Sequence, residues 1–244
     1  MTGRVLDAAV ALIATLLLAR PAVAQDPPVP ASDSVRPEAS DPVRPDPSNS
    51  VRPELVEGGT RPHARWTLRD AGLFLAGGAL GLGIHESGHV LFGLVFDANP
   101  GVMGISFGPF PFFAITHDPV SPAREYAISS AGFWTQYAAS EYLLTRRPDL
   151  RRSHAPVAKG VLAFHVLAST AYGLAALGRF GPVERDTLGM ARAARVKEGW
   201  IGVLVLGPAA LDTWRCFRPG ARWAPWVSRA LKIGSVLLVV RAGR

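Results

Sequence analysis

The chain has 244 residues, a formal net charge of +7 and 48% hydrophobic residues, a size that fits one to two domains. Its excess arginine falls in short segments between apolar runs and near the C-terminal end, with no basic patch interleaved with exposed aromatics. That pattern suits membrane topology and sets nucleic acid aside. The single cysteine, Cys216, excludes an internal disulfide and a cysteine-based zinc site.

Residues 1–24 read as a signal peptide. Arg4 supplies the charged start, Ala8 to Ala19 is an apolar run too short to span comfortably, and Ala22-Val23-Ala24 offers a cleavage site before Gln25. An uncleaved anchor helix is the alternative. Residues 25–65 form a disordered, Pro-rich linker, too poor in large apolar residues to offset the entropy of ordering. Its repeats, Ser34-Val35-Arg36-Pro37-Glu38 and Ser50-Val51-Arg52-Pro53-Glu54 among them, favour an extended spacer.

Residues 66–244 are expected to be a membrane-embedded helical domain. Trp66 to Phe96 reads as its first helix, and Gly77, Gly78, Gly81, Gly83 and Gly88 mark a face for close helix approach. This helix carries His85-Glu86-Ser87-Gly88-His89. Histidines four apart share one helix face, so His85 and His89 can both reach one metal ion. Glu86 can act as general base toward a water on that ion. Ionisable groups in an apolar run are costly, which favours a functional reading over two hydrogen-bonded core histidines.

Asn99-Pro100-Gly101 signals a turn. Ile105 to Ala114 is apolar but broken by proline, and reads as a re-entrant, β-like hairpin whose edge could pair with an extended peptide. Pro122 to Leu144 is a second helix, followed by a basic loop holding Arg146, Arg147, Arg151 and Arg152. Val157 to Leu177 is a third helix, apolar except for His165. Glu184 to Lys197 is polar and amphipathic, and reads as a surface helix. Trp200 to Trp214 and Trp223 to Val240 are the fourth and fifth apolar segments. With a cleaved signal the linker lies outside, and the basic loop falls on the same side. The positive-inside rule prefers that loop inside. Either the second helix does not fully span or the signal reading fails.

Two histidines leave a catalytic zinc site short of one protein ligand. Asp212 is the strongest candidate, since a carboxylate in an apolar segment needs a cation. Pairing with Arg215, three residues on, is the competing explanation. His165 is the rival ligand, and Glu141 and Asp186 are weaker rivals. The next histidine along the chain, His117, sits in a proline-rich loop.

Three stretches resemble the site-2 protease family of intramembrane zinc metalloproteases. They are His85-Glu86-Ser87-Gly88-His89, the Ile105–Ala114 hairpin with Ala131-Gly132-Phe133-Trp134-Thr135-Gln136 after it, and Pro208-Ala209-Ala210-Leu211-Asp212. The resemblance implies an all-α integral membrane bundle of roughly four to five transmembrane helices with a short hairpin. It also implies Zn2+ held by His85, His89 and Asp212, with Glu86 as catalytic base. Gln136, Phe107 and Phe110 would contact a membrane protein or peptide substrate in the lipid bilayer. The setting it implies is a bacterial-type inner membrane, crossed several times, with the linker periplasmic or extracellular. The chain departs from the family pattern at Phe133 for proline, Gln136 for asparagine and Thr213 for glycine. The changes at Phe133 and Gln136 support an alternative, a non-catalytic membrane scaffold or regulator that keeps the fold. A transporter using the buried ionisable groups is a third reading.

Overall fold

The computed structural model describes residues 66–107 and 110–243, with the side chains of 106–112 outside the description. The signal peptide and linker expected at 1–65 lie outside the described residues. Among the described residues six helices and one hairpin follow in order: α1 Leu68–Val95, β1 Gly101–Phe107, β2 Phe110–Thr116, α2 Pro122–Arg146, α3 Pro156–Gly178, α4 Asp186–Ala194, α5 Glu198–Phe217 and α6 Ala224–Ala242.

Local signals set several boundaries. Thr67 and Asp70 form a reciprocal capping box at the start of α1, which satisfies two of its free N–H groups. A proline occupies the first turn of α2, α3 and α6, where no intrahelical donor is lost. Left-handed residues close two helices, Arg179 after α3 (φ 55) and Arg195 after α4 (φ 53). Asp97 and Asn99 take the same conformation in the turn that leads from α1 into the hairpin.

The hairpin is antiparallel, with Gly101 opposite Thr116 and Phe107 opposite Phe110. It therefore extends beyond the Ile105–Ala114 stretch expected to form it. Pro111 is tolerated because a two-stranded sheet leaves one edge of each strand unpaired.

One stripe of α1 is buried: Asp70, Gly77, Gly81, His85, Gly88, His89 and Phe92 recur at helical spacing. The absence of a side chain is what lets its neighbours close in. A Cβ on Gly77 would collide with the Val157 backbone of α3, and one on Gly88 with the Ala131 carbonyl of α2. Gly78 and Gly83, by contrast, face open space. Helix α1 thus lies against α2 and α3, α5 packs on α3 and α6, and α4 packs on α2. The core between them centres on Phe92, Tyr126, Trp134, Tyr137, Met190 and Ile201.

Two expectations change here. The Glu184–Lys197 stretch is not a free surface helix: Thr187, Met190, Ala191 and Ala194 of α4 are buried. Among the described residues, α3 alone is long and apolar enough to cross a membrane by length and composition. The ionisable residues carried by α1, α2, α5 and α6 lower their hydropathy below that of a simple span.

Candidate metal centre

His85 and His89 point the same nitrogen at the same place. The ring nitrogens away from that place are both engaged. His85 Nδ1 donates to Gln136 Oε1, and His89 Nδ1 donates to the Ile128 carbonyl oxygen at 2.8 Å. Each Nε2 is left with its lone pair, and the two lie 3.2 Å apart.

The third group is Asp186. Its Oδ2 lies 3.1 Å from His85 Nε2 and 3.4 Å from His89 Nε2. Among the described residues, these three side chains form the one cluster of His, Cys, Asp or Glu able to hold a metal ion. Three acceptor atoms at such distances repel unless positive charge sits among them, either imidazolium protons or a metal ion. The spacing suits an ion. Tetrahedral bonds of about 2.0–2.1 Å separate ligand atoms by roughly 3.3 Å. Both histidines are buried and Asp186 is 15% exposed.

Neighbouring residues shape the centre. A Cβ on Gly132 would lie 2.5 Å from His89 Nε2 and 2.6 Å from His85 Nε2, so glycine keeps the space at the ligand atoms open. Phe133 meets the His85 ring edge-on at 5.4 Å, and Tyr172 stacks on it at 6.0 Å. Thr135 Oγ1 donates to the Ile84 carbonyl at 2.8 Å and ties α2 to α1 one residue before the first ligand.

Asp186 opens α4, and both of its chain neighbours are tied down. Arg185 forks onto Glu198 at 2.7 Å through Nε and 2.7 Å through Nη2. Thr187 Oγ1 donates to the same carboxylate at 2.9 Å. Glu198, the first residue of α5, thereby holds the segment that presents Asp186.

The carboxylate that meets the histidines is therefore Asp186, not Asp212. Asp212 is fully buried among donors: Lys232 Nζ at 2.7 Å, Ser228 Oγ at 2.7 Å, Ser140 Oγ at 2.9 Å and Arg215 Nη1 at 3.1 Å. The competing explanation, a pair with Arg215, is what the structure contains. Glu141 is taken up in the same way by Arg215 at 2.6 Å and Arg229 at 2.7 Å. His165 is not a ligand either, since its Nε2 lies 3.3 Å from Asp212 Oδ2. Gln136 is buried between His85 and His165, where it cannot touch a substrate. The side chains of Phe107 and Phe110 lie outside the described residues. His117 pairs with Glu125 at 3.5 Å.

A cavity of about 370 Å³ opens on the centre. His85, Glu86, His89 and Asp186 line it together with Phe113 and Tyr172. Strand β2 contributes Phe113, Ala114 and Ile115 to its wall. A second cavity of about 370 Å³ reaches His89 and Asp186 from the side of Thr116, Glu125 and Arg192.

No family model, curated protein or solved structure matches the chain.

Proposed function

We propose that the protein is a membrane-embedded zinc endopeptidase acting on membrane-associated peptides. The observation that carries this reading is the convergence of His85 Nε2, His89 Nε2 and Asp186 Oδ2 within 3.4 Å, beside a cavity that Glu86 also lines. Two imidazoles and one carboxylate suit zinc and leave a fourth position open. When bound, the ion would supply Lewis acidity toward the scissile carbonyl and toward water.

The chain's own residues do the rest. Glu86 takes the proton from the attacking water as the new C–O bond forms. It passes that proton to the amine nitrogen as the C–N bond breaks. Among the described residues β2 pairs with β1 alone, and its outer edge would offer backbone donors and acceptors to an extended peptide in the cavity. Phe113, Ala171 and Tyr172 give it apolar walls.

The membrane setting is supported by where polarity lies. Lys232, Asp212, Glu141, Arg215 and Arg229 are buried, while Leu68, Leu80, Leu91, Trp200, Val203 and Leu237 are exposed. A water-soluble fold has the opposite distribution. One end of the bundle also gathers aromatic and basic groups, as an interfacial belt does. Lys159 lies over Trp66, Arg151 over Phe217, and Trp214 meets Trp223. His154, just after the arginine loop, sits 3.1 Å from Asp70 at the start of α1. The start of α1 and the four loop arginines thus share one side. We place that side in the cytoplasm on the weight of the arginines, which conflicts with a secreted linker.

The test uses detergent-purified protein with a synthetic apolar peptide in micelles. Cleavage that needs zinc, stops with a chelator and is absent in Glu86→Gln supports the reading. Full activity in Glu86→Gln, or none in zinc-loaded wild type against a panel of transmembrane peptides, counts against it. The second outcome favours a scaffold that keeps the metal without chemistry.

A further inference from the structure

Gln136, His165 and Asp212 do not touch the proposed ion, yet they run in one buried line from His85 to the charged cluster. Gln136 Oε1 meets His85 Nδ1, Gln136 Nε2 lies 3.4 Å from His165 Nδ1, and His165 Nε2 lies 3.3 Å from Asp212 Oδ2. Gln136 and His165 are each 2% exposed and Asp212 is 0% exposed, so water does not compete along the line. We propose that these three are positioning residues that fix the tautomer of His85 and thereby aim its Nε2 lone pair at the metal. The proposal rests on the metal reading above and names what prepares one of its ligands.

The direction of the contacts follows from the far end. His165 Nε2 faces Asp212 Oδ2 at 3.3 Å but outside hydrogen-bond geometry, and since a lone pair there would face a carboxylate, His165 carries its proton on Nε2. His165 Nδ1 then has a lone pair and accepts from the amide NH2 of Gln136. Ser169 Oγ, at 3.5 Å, offers the same nitrogen a second donor. That sets the amide with its oxygen toward His85. His85 must then hold its proton on Nδ1, leaving Nε2 bare toward Asp186 and His89. A reversed amide would put its NH2 against His85 Nδ1 and move the ring proton to Nε2. That proton would point into the metal position and block it. His89 needs no such line, because the Ile128 carbonyl accepts from its Nδ1 directly.

The arrangement accounts for an amide at Gln136 where a carboxylate would serve a single histidine equally well. An amide has both an acceptor and a donor end, and the line uses both. Partners of this kind behind a metal-ligating histidine change metal affinity by about 10–100-fold when removed.

The experiment reads the tautomer and the affinity separately. Histidine-15N-labelled protein, purified in detergent and stripped of metal, is examined by two-bond 15N–1H correlation, and zinc affinity is measured by competition with a chelator. In wild type, His85 and His89 should both carry the proton on Nδ1. In Gln136→Met, of similar shape but without the acceptor, His85 should lose its single tautomer while His89 keeps it. Zinc affinity should fall about 10–100-fold. His165→Leu, which frees the amide to reverse, should change His85 in the same direction. Gln136→Glu restores an acceptor toward His85 and should recover both the tautomer and most of the affinity. If His85 stays wholly Nδ1-protonated in Gln136→Met and in His165→Leu, the line is overturned whatever the wild type binds. Wild type that binds no zinc overturns the metal reading instead.

Discussion

Two buried polar centres lie in this bundle, and they are built on opposite terms. The cluster of Glu141, Asp212, Arg215, Arg229 and Lys232 contains both signs of charge, and each group has its partners within 3.3 Å. The His85–His89–Asp186 centre turns three acceptor atoms toward one point. The first is self-sufficient, and the second needs positive charge among its acceptors, as imidazolium protons or as a metal ion. Burial of a carboxylate therefore shows that it needs a partner, but not which partner. Asp212 found Lys232 and Arg215, whereas Asp186 found two imidazoles.

The sharpest way to separate chemistry from architecture is Glu86→Gln. Cleavage should fall by about 10²–10⁴-fold, the usual contribution of a positioned base, with bound zinc unchanged by elemental analysis. Equal loss of zinc would move Glu86 from the chemistry into the architecture.

A change in the ion cluster should act on stability instead. Lys232→Met leaves Asp212 and Glu141 each short of a cation and should cost about 3–5 kcal/mol, read by thermal unfolding in detergent. Zinc at a hundredfold excess over its dissociation constant should then add about 2.7 kcal/mol to wild type and to Lys232→Met alike. It should add nothing to Asp186→Ala. A zinc response that survives in Asp186→Ala would erase the distinction between the two centres.

How far the sequence reaches follows from these same residues. The spacing of His85 and His89 is a local signal, and one helix realises it. The apolar runs likewise mark the helices, and Asn99-Pro100-Gly101 marks the turn into the hairpin. Asp186 has no such signal. It stands in Glu184-Arg185-Asp186, a polar stretch whose composition fits a surface, and only the packing of α4 on α2 brings it to the histidines. The apolar surroundings of Asp212 correctly indicate a buried charge, but Lys232 lies on another helix and its approach is a tertiary fact. Gln136 and His165 belong to the centre's surroundings rather than to its ligands or its substrate wall.

Glycines give the smallest and cleanest contrast. Gly132→Ala should crowd the two imidazoles, cost about 1–3 kcal/mol by overpacking and weaken zinc binding. Gly78→Ala, on the open face of the same bundle, should stabilise by about 0.5–1 kcal/mol, since alanine loses less freedom in a helix. Equal effects at the two positions would mean that the space at Gly132 is not needed.

The most direct test is the zinc content of detergent-purified wild type beside Asp186→Ala, measured by elemental analysis after removal of loosely bound metal. The account predicts about one ion per chain in wild type and almost none in the variant. A wild type without metal, or an Asp186→Ala protein that keeps its full share, would contradict it.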